Sequence, residues 1–149
     1  MKPSNDKVHT VTKTDEFAFL FKLDEHRLDE EWLKQPVYVR KYTNQLADVK
    51  NRYDRAKAQL AIVEAEVDLE VRKDPQKYDI GKVTETVIQK VVITSQRHIE
   101  ANDKVLKLKH KVDVLSVLID ALHDRRRTLE NLVQLWLADY FAEPTRPKN

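Results

Sequence analysis

The sequence predicts an all-α protein of long amphipathic helices, packed as a helical hairpin or bundle with coiled-coil-like contacts and assembling into a homo-oligomer. Three observations carry this. Val39, Tyr42, Leu46, Val49, Tyr53, Ala56, Leu60, Val63 and Val67 recur at three–four spacing. Ala101, Val105, Leu108, Val112, Leu115, Ile119 and Leu122 repeat the pattern, and Leu129, Val133, Trp136 and Tyr140 continue it beyond Arg126. The chain has one Gly and five Pro, and only Pro75 falls between the two runs, so little interrupts the helices.

Residues 1–14 are polar and patternless and read as a disordered N-terminal segment, followed by a single helical domain over 15–142. Phe17, Phe19, Leu20 and Phe21 form an apolar cluster that reads as a short strand, a helix start or an anchor docking on another subunit, with docking the favoured reading. A short acidic helix is expected at about 24–34, carrying Leu28, Trp32 and Leu33 and closed by Gln35-Pro36. Pro36 suits the first turn of a long helix at about 36–72, roughly 55 Å in length. Its last turns alternate Glu64, Glu66, Asp68 and Glu70 with apolar residues. Alone this resembles a strand, but the three–four series continues through Val67 and keeps it helical. Lys73–Lys82 reads as a turn. Thr84 is the expected N-cap of a short helix at about 84–93, and Ser95 of a long one at about 96–141. A flexible tail, 143–149, ends the chain.

Heptad assignment of the last helix puts Ala101, Leu108, Leu115, Leu122, Leu129 and Trp136 at d. Position a takes Val105, Val112, Ile119, Arg126, Val133 and Tyr140, a pattern that favours parallel pairing. Val114, Val117, Leu118 and Ala121 lie off this seam, which implies burial by several helices. Leu46, Val49, Leu60, Leu108, Leu115, Ile119, Leu122, Leu129 and Trp136 are the expected core and oligomer contacts.

Nothing in the chain points to catalysis. There is no Cys, no Gly-rich phosphate loop, and no metal-ligand spacing among His9, His26, His98, His110 and His123. A non-enzyme without cofactor or metal is expected. The N-terminus has no signal-peptide core and no apolar run spans a bilayer, so a cytoplasmic protein with no membrane partner is the reading.

Charge is informative in its distribution. The net charge is only +2, but residues 40–57 hold six bases against Asp48 and Asp54, whereas 58–71 hold four acids and no base. For a helix starting at Pro36 this order opposes the macrodipole and suggests contacts with something else. The first basic cluster is Arg52, Arg55 and Lys57. The second contains Lys104, Lys107 and Lys111, with Arg97 and Lys109 beside them. Either is also compatible with a solvated face. Repeated around an oligomer, such clusters become a belt able to hold phosphates.

Trp32-Leu33 ahead of a long helix, Arg55-Ala56-Lys57 on that helix, a loop, Thr84-Glu85 opening the next helix and a long C-terminal helix occur in this order. Over roughly Leu28 to Phe141 the chain resembles the UvsY family of phage recombination mediators. In that family a Lys-Ala-Arg element contacts single-stranded DNA; here the two basic types are exchanged. This sequence also starts differently, lacks the family's Gly-rich loop and carries the acidic 64–70 run. The resemblance implies DNA recombination and repair, a ring-like homo-oligomer, and single-stranded DNA, a RecA-like recombinase and a single-strand-binding protein as partners. It implies DNA contact by Arg55 and Lys57; Arg52, Lys104, Lys107 and Lys111 extend the set by charge. Two other readings compete. One is a structural coiled-coil scaffold of a phage assembly with no DNA role. The other is a helical adaptor that docks a host enzyme through Phe17–Phe21.

Overall fold

The computed structural model describes residues 16–142, and the expectations for 1–14 and 143–149 lie outside them. Helix α1 spans Leu28–Lys73, α2 spans Glu85–Thr94 and α3 spans Gln96–Leu137. Two 3-10 turns, Ala18–Phe21 and Pro75–Tyr78, complete the order, and no strand occurs among the described residues. Helices α1 and α3 form an antiparallel hairpin: the Glu31 end meets Arg125, Ala56 meets Val105 and Leu108, and Glu64 meets His98. Helix α2 caps the far end, packing Ile88 and Val92 on Val67 and Val71.

The three–four series lies on the buried face as far as Val133; α3 ends at Leu137, short of the expected 141, and Trp136 and Tyr140 are exposed. Tyr42, Ala56 and Val67 of α1 and Val105, Leu108, Leu115, Leu122 and Leu129 of α3 are buried, while Leu46, Val49, Leu60 and Ile119 pack against them half-buried. Thr84 and Ser95 cap α2 and α3, their hydroxyls accepting from Val87 N and His98 N at 3.3 Å.

The first helix differs from expectation. It does not break at Gln35-Pro36 but runs through Pro36, which leaves the Trp32 carbonyl without its helical donor. An internal proline costs roughly 3 kcal/mol. Tertiary anchors on both sides of it offset that cost: Glu31 and Gln35 before, and Tyr38, Val39 and Tyr42 after, are tied to α3 or to the Ala18–Phe21 turn. Starting at Leu28 also reverses the dipole argument. Asp29, Glu30 and Glu31 occupy the first turn and Arg72 and Lys73 the last, so the helix charges favour the macrodipole.

The register of α3 needs a second correction. Arg126 is exposed and pairs with Glu130 at 3.0 Å, while its neighbour Arg125 is buried at 4% exposure. Arg125 sits between Leu122 and Leu129 at three–four spacing and joins the same face. Its guanidinium donates to the Glu31 carboxylate, to Gln35 Oε1 at 2.6 Å and to the Leu20 carbonyl at 2.7 Å. Gln35 in turn donates to the Leu122 carbonyl at 2.7 Å. Every polar group of this buried cluster is thereby partnered, the condition under which buried charge is tolerated.

Phe17–Phe21 docks on its own chain. Leu20 is 1% exposed among Tyr42, Leu115, Leu118 and Leu122, and the Phe17 ring meets Tyr42 edge-on at 5.6 Å. The off-seam Leu118 is buried in the cluster that this turn and α1 form with α3; Val114 and Val117 stay exposed. Phe19 and Phe21 point outward. Trp136 is also exposed, bonding through Nε1 to the Glu25 carbonyl at 3.1 Å and stacking near Phe141 rather than entering the core.

Candidate nucleic-acid interface

Midway along the hairpin the seam carries a small residue. Ala56 is buried against Val105 and Leu108. Side chains one step off the seam then face each other across a groove of about 600 Å³. Arg52 and Arg55 line it from α1, and Lys104, Lys107 and Lys111 from α3, with Ala56 and Leu108 below and Gln59 and Asp103 beside them. Positions 104, 107 and 111 share one face of α3, as 52, 55 and 59 do of α1.

Five of the six expected DNA-contacting residues thus converge. The sixth does not: Lys57 is not part of the lining and places its ammonium 5.5 Å from the centre of the Tyr53 ring. The two basic residues flanking Ala56 therefore leave opposite sides of the seam. Gln59 is the lining residue that sequence reasoning missed, although its position one turn after Arg55 marks it.

Most of this charge is not cancelled within the protein. Lys107 pairs with Asp103 at 2.6 Å, and Arg55 donates only to the neutral Asn51 Oδ1 at 3.2 Å. Among the described residues no carboxylate lies within ion-pair distance of Arg52, Arg55, Lys104 or Lys111. Four unpaired cations around one groove repel one another, a cost that an anion would relieve.

The acidic half of α1 behaves differently. Glu70 accepts from Arg97 at 2.9 Å, Glu66 lies 3.8 Å from the same guanidinium, Glu64 meets His98 at 3.1 Å, and Asp68 pairs with Arg72 at 2.6 Å. The hydrogen bond from Arg97, helped by its charge and by the Tyr78 hydroxyl, holds the Glu70 carboxyl below its ordinary value. Hydrogen bonds that Arg72 donates to Asp68 and Glu85 raise its guanidinium above its ordinary value. The acids thus fasten the far end of the hairpin, and the bases near its middle stay open.

A second groove of about 610 Å³ lies nearer the α1 start, lined by Trp32, Pro36, Val39, Arg40, Thr43 and Asn44 of α1 and His123 and Arg126 of α3, with Gln35 at its base. Among the described residues no group of three His, Asp or Glu could hold a metal ion, and no helix is long and apolar enough to cross a membrane. No family model, curated protein or solved structure matches the chain.

Proposed function

We propose that this protein binds single-stranded DNA without sequence preference and acts as a recombination mediator, helping a RecA-like recombinase to load in place of a single-strand-binding protein. The convergence of Arg52, Arg55, Lys104, Lys107 and Lys111 in one groove, four of them without an acidic partner, supports the DNA-binding part. Such a groove contacts phosphates through charge and carries no base-reading geometry, which fits sequence-independent binding. The loading role rests on the resemblance carried by Trp32-Leu33, Arg55-Ala56-Lys57 and Thr84-Glu85. A homo-oligomer would repeat the groove and raise avidity.

The test is retention of a fluorescent oligo(dT) across a salt series, with duplex DNA as competitor, followed by recombinase assembly on strands coated with single-strand-binding protein. Salt-sensitive binding that weakens in Arg52→Ala/Arg55→Ala, with faster assembly in the presence of the wild type, is expected. Absence of binding removes the DNA reading; binding without faster assembly removes the mediator role.

The scaffold reading draws on one observation, the exposed Leu33, Val37, Ile62 and Leu69 along α1. It requires retention by a phage structural component and none by DNA.

A further inference from the structure

Building on the DNA-binding reading, we propose that the Trp32 groove is a nucleobase-stacking subsite, joined to the phosphate groove by a track across the exposed face of α1. The phosphate groove has no aromatic lining residue. Single-strand binding that relies on charge alone forgoes the stacking that usually accompanies it. The flat groups occur in the other groove: the Trp32 indole, the His123 imidazole and the guanidinium planes of Arg40 and Arg126, over a floor of Pro36 and Val39.

The chemistry of this groove favours a base over the other plausible ligand, an acidic peptide. Arg126 is held by Glu130 at 3.0 Å, which orients its plane and offsets its charge. Arg40 is then the one guanidinium lining the groove with no carboxylate partner among the described residues, too little to capture a run of carboxylates. The Gln35 amide is already committed to Leu122 and Arg125. What remains is a groove lined by two aromatic side chains and a planar cation, groups on which any base can stack.

The two grooves are connected along α1. Arg40, Asn44, Asn51 and Arg55 are exposed, and at 3.6 residues per turn they fall within about 60° of each other. They span about 22 Å of helix, a length of several nucleotides. Asn51 and Arg55 are bonded to each other along this stripe. Asp48 and Asp54 also lie in this stretch, but Arg40, Lys41, Lys50, Arg52 and Arg55 outnumber them. A strand seated on Arg52 and Arg55 could follow the stripe and place a base at Trp32.

The chain has two tryptophans, so Trp136→Phe leaves Trp32 as the sole indole reporter. Titration with oligo(dT) at low salt should quench Trp32 emission in step with binding, while an oligomer with abasic sites throughout should bind without that quench. Trp32→Leu in the otherwise native chain should weaken oligo(dT) binding about tenfold or more, with the salt dependence unchanged. Normal salt-sensitive binding with unmoved Trp32 emission, or equal quenching by the abasic strand, overturns the subsite and leaves the phosphate groove standing. Quenching by a synthetic Asp/Leu peptide but not by oligo(dT) also overturns it, assigning the groove to a protein partner. Loss of all DNA binding in the wild type overturns the underlying functional reading as well.

Discussion

The Arg125 guanidinium donates to the Glu31 carboxylate across 94 residues of sequence, and both side chains are almost wholly buried. Removing Glu31 leaves the buried Arg125 charge with neutral acceptors only, and removing Arg125 leaves Glu31 with the partly exposed Lys34 at 2.7 Å. Arg125→Ala and Glu31→Ala should each cost about 3–5 kcal/mol in urea unfolding. The adjacent Arg126→Ala removes an exposed i,i+4 pair and should cost under about 0.5 kcal/mol. Equal effects at the two positions would contradict the register.

Salt dependence distinguishes the groove from its surroundings. Each single-strand phosphate contact contributes about 0.7 to the slope of log K against log salt. Arg52→Ala, Arg55→Ala, Lys104→Ala and Lys111→Ala should each lower the slope by about that amount. Lys57→Ala, outside the lining, should leave it nearly unchanged. The resemblance alone would give Lys57 the same weight as Arg55, so this comparison separates geometry from sequence likeness.

The groove should also be a stability liability. Neutralising two facing cations, as in Arg52→Gln/Lys104→Gln, should raise the Tm at low salt and lose that advantage as salt increases. Calorimetry at two ionic strengths checks this, and a lower Tm in the double variant would show that these side chains serve packing.

Glu70 gives the far end of the hairpin an acid-sensitive fastening. Its folded carboxyl is lowered from the ordinary 4.5, chiefly by the Arg97 hydrogen bond. A depressed carboxyl stabilises the fold above its unfolded pKa and loses that contribution as pH falls through the folded one. Glu70→Gln should therefore be less stable than wild type at neutral pH and converge with it as pH falls through the acid range. Thermal melts across this range measure the convergence. The effect should be small, since the pair is solvent-exposed.

Much of the hairpin was legible because burial on α1 and α3 repeats at three–four spacing, from Tyr42 and Ala56 to Leu108 and Leu122. The caps at Thr84 and Ser95 were legible because a hydroxyl ahead of an apolar run has few other uses. The Arg125–Arg127 run obscured the register. Charge argued against a core position, yet Leu122, Arg125 and Leu129 obey the same spacing, and the acid and amide that make burial possible lie in Glu31 and Gln35. Pro36 misled for a related reason: local chemistry favours a break there, and contacts distant in sequence override it. The basic residues could be assigned to α1 and α3 individually. That five of them face one another depends on the antiparallel pairing of Ala56 with Val105 and Leu108, which composition does not encode.

Ala56 gives that pairing a meaning beyond packing. Its side chain ends at one methyl group, the smallest among the apolar residues of the α1 seam, and it lies between the two cationic rows that line the groove. On the proposed reading, a larger residue at this position would keep all five cations and alter which anionic polymers can span them, leaving the breadth of the tolerated backbone to a residue that carries no charge itself.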